Sequence, residues 1–529
     1  MANRLWIAAY ALVIALGAWR VALTHRVFSE TLDEPVHVAC GYEWLTGRGY
    51  LTDPTHPPLA RVLSAVPAVL EGVPPPKEQS DFVGKGNDLL YANDRYEKNL
   101  ARARMGNLLL FIIGMIAVAS WAHRLFGAAV GLLATALFAS LPPILAHAGL
   151  ATTDLAVATT LTITWIALDR WLDAPTLPRG ALLGLAVALG VLSKFSFLLF
   201  FPVTAIVLLI VRFARRNASL SAKSLALALV VAFLTIWAGY RFSFGRIDAI
   251  PMGKFYLETP APRPLRPLAK WVAERVPLPM PELFMGIGAV KMHDLDGHET
   301  YLLGRYSKHG WWYYFPVVFF FKTPLPFLIL ALWGVALLLR RRAEIALIPI
   351  ALLLCVMPSS INIGIRHILP IYPPLCIAAA YAAVTIWRTS RDAFGRTALV
   401  ALLGWLFVGT AIAHPDYLAW FNEAAGEHPE EIVVDSNLDW GQDVLRLARV
   451  VGQRDISKLW VLYNGNADLA RHKLPADGLI PFTPVHGWVA VSETSLKLGD
   501  QARYGGYKWL EAYKPVGRIG RSIRLYHVD

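Results

Sequence analysis

Apolar runs of about twenty residues recur along the chain, each long enough to cross a bilayer as a helix. They fall near residues 5–23, 105–123, 127–147, 153–171, 179–193, 195–212, 224–240, 316–339, 343–358, 368–388 and 396–414, eleven in all. Several contain Pro or Gly, which membrane helices tolerate. The first run is too long for a signal peptide and lacks a small-residue cleavage site, so it reads as an uncleaved helix. Three long polar stretches interrupt the pattern, at 24–104, 241–315 and 415–529. Within the first, PLARVLSAVPAVLEGV (58–73) is apolar but too short to span, and reads as a helix lying in the interface. The last stretch changes period. EIVVD, KLWVLY, GWVAVS and SIRLYHV read as strands, QDVLRLARVVG and YKWLEAY as helices. The expected fold is an all-α polytopic membrane protein, residues 1–414, followed by a small α/β domain, residues 415–529.

Composition agrees: 56% of residues are hydrophobic and 17% charged, against about 25% charged in soluble domains. Lys and Arg outnumber Asp and Glu by 50 to 38. In a soluble chain that excess suggests nucleic acid. Here it has a topogenic cause, and no nucleic-acid partner is expected. Fourteen basic residues fall in short loops on one side, and only Lys194 and Arg366 on the other. The positive-inside rule then places the N-terminus in the cytoplasm. The three polar stretches, the C-terminal domain included, lie outside a cytoplasmic (inner) membrane. The three cysteines show no metal or disulfide spacing. No GxxxxGK[ST], GxSxG or HExxH pattern occurs, so ATP-driven transport and serine hydrolysis lose support.

Candidate chemistry gathers at the outer boundary. TLDEPVHVACGYEWLTG (31–47) places Asp33 and Glu34 just past the first span. Carboxylates near lipid are costly unless they face water, a partner or a substrate. A solvated loop pair is the bland account. The functional one is a general base, strengthened by an adjacent carboxylate and partial desolvation. TDPTHPPLAR (52–61) sets His56 and Arg61 near the surface, in a rigid turn or beside an anion. Asp154, in ATTDLAV, opens a helix and complements its dipole. Lys194 in LSKFSF and Arg366-His367 in GIRHILPIYP break the charge trend and call for an anionic partner. Lys322 in FFFKTPLP either snorkels or lines a cavity. A lipid phosphate would suit Lys194, Arg366 and Lys322 together. His293, Asp294 and His298 form a weak metal candidate that a wet loop explains equally well. DSNLDWGQD (435–443), with Asp439 beside Trp440, is either an Asx-turn or a sugar-facing surface.

Asp-Glu in the first outward loop, then His-Pro-Pro-Leu and a basic residue, resembles the protein O-mannosyltransferases. More widely it resembles the GT-C glycosyltransferases that use polyprenyl-phosphate sugars, the lipid A aminoarabinose transferases among them. LDEPVH…THPPLAR carries the likeness, with TTD, SKFS, GWWYYFPVVFFFKTPLP, GIRHILPIYP and YLAWFNEAAG…DSNLDWGQD in support. The resemblance implies a GT-C fold and an inverting sugar transfer from a polyprenyl-phosphate carrier to an acceptor hydroxyl. Asp33 would be the base, and Glu34 would support the acceptor or tune Asp33. His56 would stand by the donor phosphate, with Arg61, Lys194 and Arg366 as further phosphate contacts by location. Asp154, Lys322, His367 and Asp439 would support them. The acceptor is a protein, lipid or glycan. The chain lacks the large β-trefoil insert of eukaryotic protein mannosyltransferases. No cofactor is called for, and a divalent metal is compatible but not indicated. The rival reading, a flippase for lipid-linked sugars, lacks the inverted repeat of interrupted helices expected of a transporter.

Overall fold

The computed structural model describes residues 2–47, 49–50, 52–250, 252–258 and 261–529. The chain is a multi-pass helical membrane protein with a small sheet near its C-terminus. Each of the eleven apolar runs contains helix. Among the described residues, however, only six helices are long and apolar enough to span, or eight if each of two bent pairs is one span. The difference from eleven has local causes. Leu177–Ser193 is short, with 17 residues, and so is Leu347–Val356, with 10. Asp154–Asp173 carries Asp154, Asp169, Arg170 and Asp173. The run at 127–147 is two helices, Ala128–Phe138 and Pro142–Ala148, meeting at 66°. The run at 316–339 breaks at Thr323-Pro324 into Tyr314–Lys322 and Leu325–Arg340, which meet at 118°. Pro324 cannot continue the first helix, and its φ suits the entry to the second.

At the helix ends away from the long polar stretches, charges tie the bundle together. Asp169 and Asp173 receive Arg124 and Arg212. Glu344 receives Arg212 and Arg215, both at 2.9 Å. The opposite ends, including the start of Asp154–Asp173 and the turn at Ile365–Ile371, meet the polar stretches.

Residues 24–104 fold into helices Glu34–Leu45, Pro58–Leu70, Phe82–Leu90 and Tyr96–Ala103. Pro58–Leu70 is the helix expected in the interface. One face is buried through Ala60, Arg61, Ser64 and Ala65, while Leu70 is exposed. It lies hard against Glu34–Leu45 because position 41 is Gly; a Cβ there would collide with the Arg61 carbonyl.

The C-terminal sheet has the strand order Ala476–Gly478, Leu459–Leu462, Gly487–Ser492, Ile523–Val528, Gly517–Ile519. The first three strands are parallel and the last two pairings antiparallel. KLWVLY, GWVAVS and SIRLYHV are strands, and QDVLRLARVVG forms the helix Val444–Gln453. EIVVD is not a strand. Val433 and Val434 are buried among membrane-helix side chains, and Asp435 turns the backbone at φ 60°. Apolar pattern cannot tell a strand from an irregular segment buried on all sides. YKWLEAY shortens to a 3₁₀ helix, Lys508–Ala512. Residues 417–421 and 432–440 share the core of the bundle, and the core under the sheet begins at Val444.

Candidate functional site

Asp33 precedes the helix Glu34–Leu45, whose start is set by Pro35 in the first turn. The backbone leading to it is fixed from the far end of the chain. Ser29 N–H donates to the Gln442 carbonyl at 2.9 Å and Leu32 N–H to the Trp440 carbonyl at 3.1 Å. Asn466 Nδ2 donates to the Leu32 carbonyl at 2.7 Å. The Ser29 hydroxyl donates to the Gly441 carbonyl at 3.0 Å and accepts from Val444 N–H at 3.1 Å. DSNLDWGQD is thus the cradle of the Asp33 segment.

Asp33 Oδ2 accepts from Arg366 Nη1 at 2.7 Å. The same Nη1 lies 3.9 Å from Asp154 Oδ2, and Lys194 Nζ donates to Asp154 Oδ1 at 2.5 Å. The Arg366 guanidinium stacks on the Trp440 ring, 4.2 Å from its centroid. Four residues far apart in sequence therefore form one alternating chain: Lys194, Asp154, Arg366, Asp33. Side-chain exposure is 9% for Lys194, 1% for Asp154, 9% for Arg366 and 32% for Asp33, so the first three are buried and the last is not. Solvent reaches the Asp33 carboxylate, whereas Asp154 is walled in and aligns two cations. Asp154 is thus the anionic partner that Lys194 called for. His367 adjoins Arg366, with its ring 6.5 Å from Phe315.

Glu34 does not reach this chain. Its carboxylate accepts from Arg104 Nε and Nη2, both at 2.8 Å, from Ala151 N–H at 2.8 Å and from Thr31 N–H at 2.9 Å. Both ion-pair partners are fully buried. Its charge is balanced by Arg104 and its lone pairs are taken, so it anchors the helix that follows Asp33. Its place beside an acceptor is not realised.

Arg61 is also occupied. Nε donates to His37 Nδ1 at 3.0 Å, and Nη1 donates to the Asp53 carbonyl at 2.6 Å and the Tyr50 hydroxyl at 3.1 Å. Nη2 pairs with the Asp53 carboxylate. It closes the TDPTHPP turn and has no donor left for a phosphate. His56 stays near the chain of charges, edge-on to His37 with ring centroids 5.1 Å apart. Burial, reinforced by the Arg61, His37 and Lys194 charges, pushes it well below the ordinary histidine range. Burial and Arg61 lower His37 to about 4. Both rings are neutral at physiological pH.

Lys322 neither snorkels nor joins the cation group. Its Nζ donates to the carbonyls of Leu418 at 2.8 Å, Asn437 at 2.7 Å and Trp420, and sits 4.1 Å from the Phe421 ring centroid. It pins residues 418–437 to the bundle. His293 and His298 do meet, Nε2 to Nδ1 at 3.1 Å, but Asp294 turns to Lys291, Ser359 and Ser360. Among the described residues no three His, Cys, Asp or Glu side chains converge as a metal site would require.

Asp439 faces inward. Its carboxylate accepts from Ser492 Oγ, from Thr494 N–H at 2.9 Å and from Gly441 N–H at 3.3 Å. It staples the cradle to the sheet. Burial pushes its acid up to about 7, and that of Asp443 up to about 6. A raised carboxylate stabilises the fold fully below the ordinary range near 4 and loses that contribution as pH rises through the folded value. Attachment of the sheet should therefore weaken between about pH 4 and 7, and Asp439→Asn should flatten the slope. Limited proteolysis between residues 440 and 490 across that range reads it out, and protection independent of pH would refute it.

Pattern reading passed over Arg104, His147 and Asn466, and it did not place Trp440 under the Arg366 guanidinium. Arg104 was the visible clue, a basic residue at the mouth of an apolar run on the wrong side for the charge rule. His147 is fully buried, with neither ring nitrogen hydrogen-bonded, and its ring centroid lies 6.2 Å from that of Trp440.

Comparison with known proteins agrees with this architecture. Residues 96–240 match the family described as dolichyl-phosphate-mannose-protein mannosyltransferase. No curated protein matches the chain. A crystal structure of ArnT from Cupriavidus metallidurans bound to undecaprenyl phosphate superposes with TM-score 0.50 at 14% identity, covering 98% of this chain and 97% of that one. The apo state of the same protein gives TM-score 0.50 at 13% identity, covering 99% and 98%. The chain is a multi-pass membrane protein with the GT-C fold, and it resembles the lipid-carrier-dependent glycosyltransferases of the ArnT and protein mannosyltransferase type.

Proposed function

We propose that the protein transfers a sugar from a polyprenyl-phosphate carrier to an acceptor hydroxyl, with inversion, on the outer face of the cytoplasmic membrane. The observation that supports this best is the charge chain ending in a solvent-reachable Asp33 beside two buried cations. In this reading Asp33 takes the proton of the acceptor hydroxyl as its oxygen attacks the anomeric carbon. The bond to the carrier phosphate breaks on the opposite side of that carbon. The leaving group is already a stable anion, so no strong acid is needed. It does need positive charge held in a poorly hydrated place, which Lys194 and Arg366 supply. Asp154 holds both cations in register, so they do not reorganise as the charge develops. His56, neutral and near Lys194, can donate one hydrogen bond to the same phosphate. That the ArnT structure holds undecaprenyl phosphate supports a carrier of this class for the present chain.

The test removes the cations without leaving a buried carboxylate alone. Lys194→Met combined with Asp154→Asn keeps the local charge balanced. It should raise the donor KM by about 10- to 100-fold, as expected when one or two charge-assisted hydrogen bonds are lost. Arg366→Gln should act likewise and also lower kcat, since it contacts Asp33. Unchanged donor KM in both variants would remove these residues from the phosphate site.

A further inference from the structure

A cleft of about 460 Å³ opens next to the base, where the first polar loop, the 297–308 hairpin region and the C-terminal domain meet. Leu32, His298, Lys308, Asp435, Asn464 and Leu498 contribute to its walls. We infer that this cleft seats the acceptor, and that the acceptor is a hydroxyl-rich saccharide chain presented from the aqueous side. The inference rests on the sugar-transfer reading and adds the acceptor class to it.

Position is the first argument. Leu32 immediately precedes Asp33, and Asp435 lies within the field of both Asp33 and Arg366. The cleft therefore adjoins the segment that carries Asp33, the most exposed member of the charge chain. Its walls come from three parts of the chain that assemble only in the folded protein. A groove of this volume lies in the usual range of roughly 300–1,000 Å³ for small-ligand sites, so it takes a short stretch of a chain rather than a folded domain.

Lining chemistry is the second. Among the described lining residues only Leu32 and Leu498 are aliphatic, too few to seat an acyl chain along its length. A docked protein would need a much larger surface with an apolar centre. Polar groups reach in from each wall instead. Lys308 donates, Asn464 both donates and accepts, and Asp435 accepts. His298 is held from behind by His293 at 3.1 Å and stands 3.9 Å from the Asp435 carboxylate. The remaining carboxylate, Glu299, is paired with Arg503, and the charges of Lys308 and Asp435 have opposite signs. No strong net field is left to select a charged ligand. A surface of mixed donors and acceptors with little net charge matches sugar hydroxyls, each of which donates and accepts.

The test uses the full chain in lipid nanodiscs with a panel of isotope-labelled isoprenyl-phosphate hexoses and pentoses. Acceptors are short mannan, glucan and arabinan oligosaccharides, an extracted lipid fraction and an unfolded polypeptide. Loss of labelled donor is scored separately from label on each acceptor. Label should appear on a saccharide. Asn464→Trp, which fills the cleft, and Lys308→Ala, which removes an exposed donor without touching the core, should each raise the saccharide KM at least tenfold. Donor KM and release of sugar to water should not change. Label on lipid or polypeptide overturns the acceptor assignment while leaving donor use intact. So does an unchanged saccharide KM in Lys308→Ala together with a folded Asn464→Trp. No loss of donor with any acceptor strikes down the transfer reading itself, and the acceptor assignment with it.

Discussion

Asp33→Asn should bind the carrier-linked donor as well as the unaltered protein does, yet transfer sugar about 10²–10⁴-fold more slowly. The substitution keeps size and leaves a carbonyl oxygen to accept from Arg366 Nη1, now at 2.7 Å from Asp33. It removes the carboxylate that is the most exposed member of the charge chain. It also removes a negative charge from a balanced set of two cations and two carboxylates, so phosphate binding should hold or tighten. The expected loss corresponds to roughly 3–5 kcal/mol of barrier. Purified protein, a labelled polyprenyl-phosphate sugar and a membrane extract as acceptor source suffice to measure it. Transfer at the unaltered rate would strip Asp33 of its role. Movement of intact lipid-linked sugar across a vesicle membrane, with the carrier never released, would instead make the protein a flippase.

The second large effect concerns the buried pair behind the base. Arg104→Ala leaves the Glu34 carboxylate fully buried with no countercharge. Removing one partner of such a pair costs on the order of 3–5 kcal/mol, a large share of a typical folding free energy. Arg104 Nη1 and Nη2 also donate to the carbonyls of His25, Phe28 and Ser29 at 2.8–3.0 Å, so the stretch before Asp33 loosens as well. The paired change Arg104→Met with Glu34→Gln should recover most of the stability, because it removes both charges at once. Thermal unfolding in nanodiscs measures the difference between the single and paired variants. A single-variant loss below about 1 kcal/mol would mean that water reaches the pair, as at an exposed salt bridge.

Much of the architecture can be read from pattern because bilayer thickness imposes a length on apolar runs. The two sharp bends cannot, since a run interrupted by Pro324 or by Ser140-Leu141 keeps its hydropathy while its direction changes. Lys194 and Arg366 stand out because each violates the charge asymmetry. Their company does not, for Asp33, Asp154, Lys194 and Arg366 come from four elements with no shared local spacing. Glu34 and Arg61 illustrate the opposite error. Adjacent to good candidates in sequence, both are drawn into closed networks by residues that lie elsewhere, Arg104 for one and Asp53 for the other. Lys322 shows that a buried cation need not imply an anion, because three backbone carbonyls satisfy it. The assignment of Asp33 as base owes most to family resemblance, and the structure adds what surrounds it.

The bond between Asn466 and Leu32 spans 434 positions, and that between Ser29 and Gly441 spans 412. Asp33 leaves the ribosome long before the groups that fix its backbone, which lie hundreds of residues further along the chain. Contacts of such separation form late, after the costly closure of the intervening chain. Lys194, Asp154 and Arg366 are synthesised before the cradle. A half-made chain can therefore hold the cations in register while its base segment is still loose. Closure of residues 440–466 over the segment before Asp33 is thus a late event, and it completes a site whose other three charged members are already in the chain.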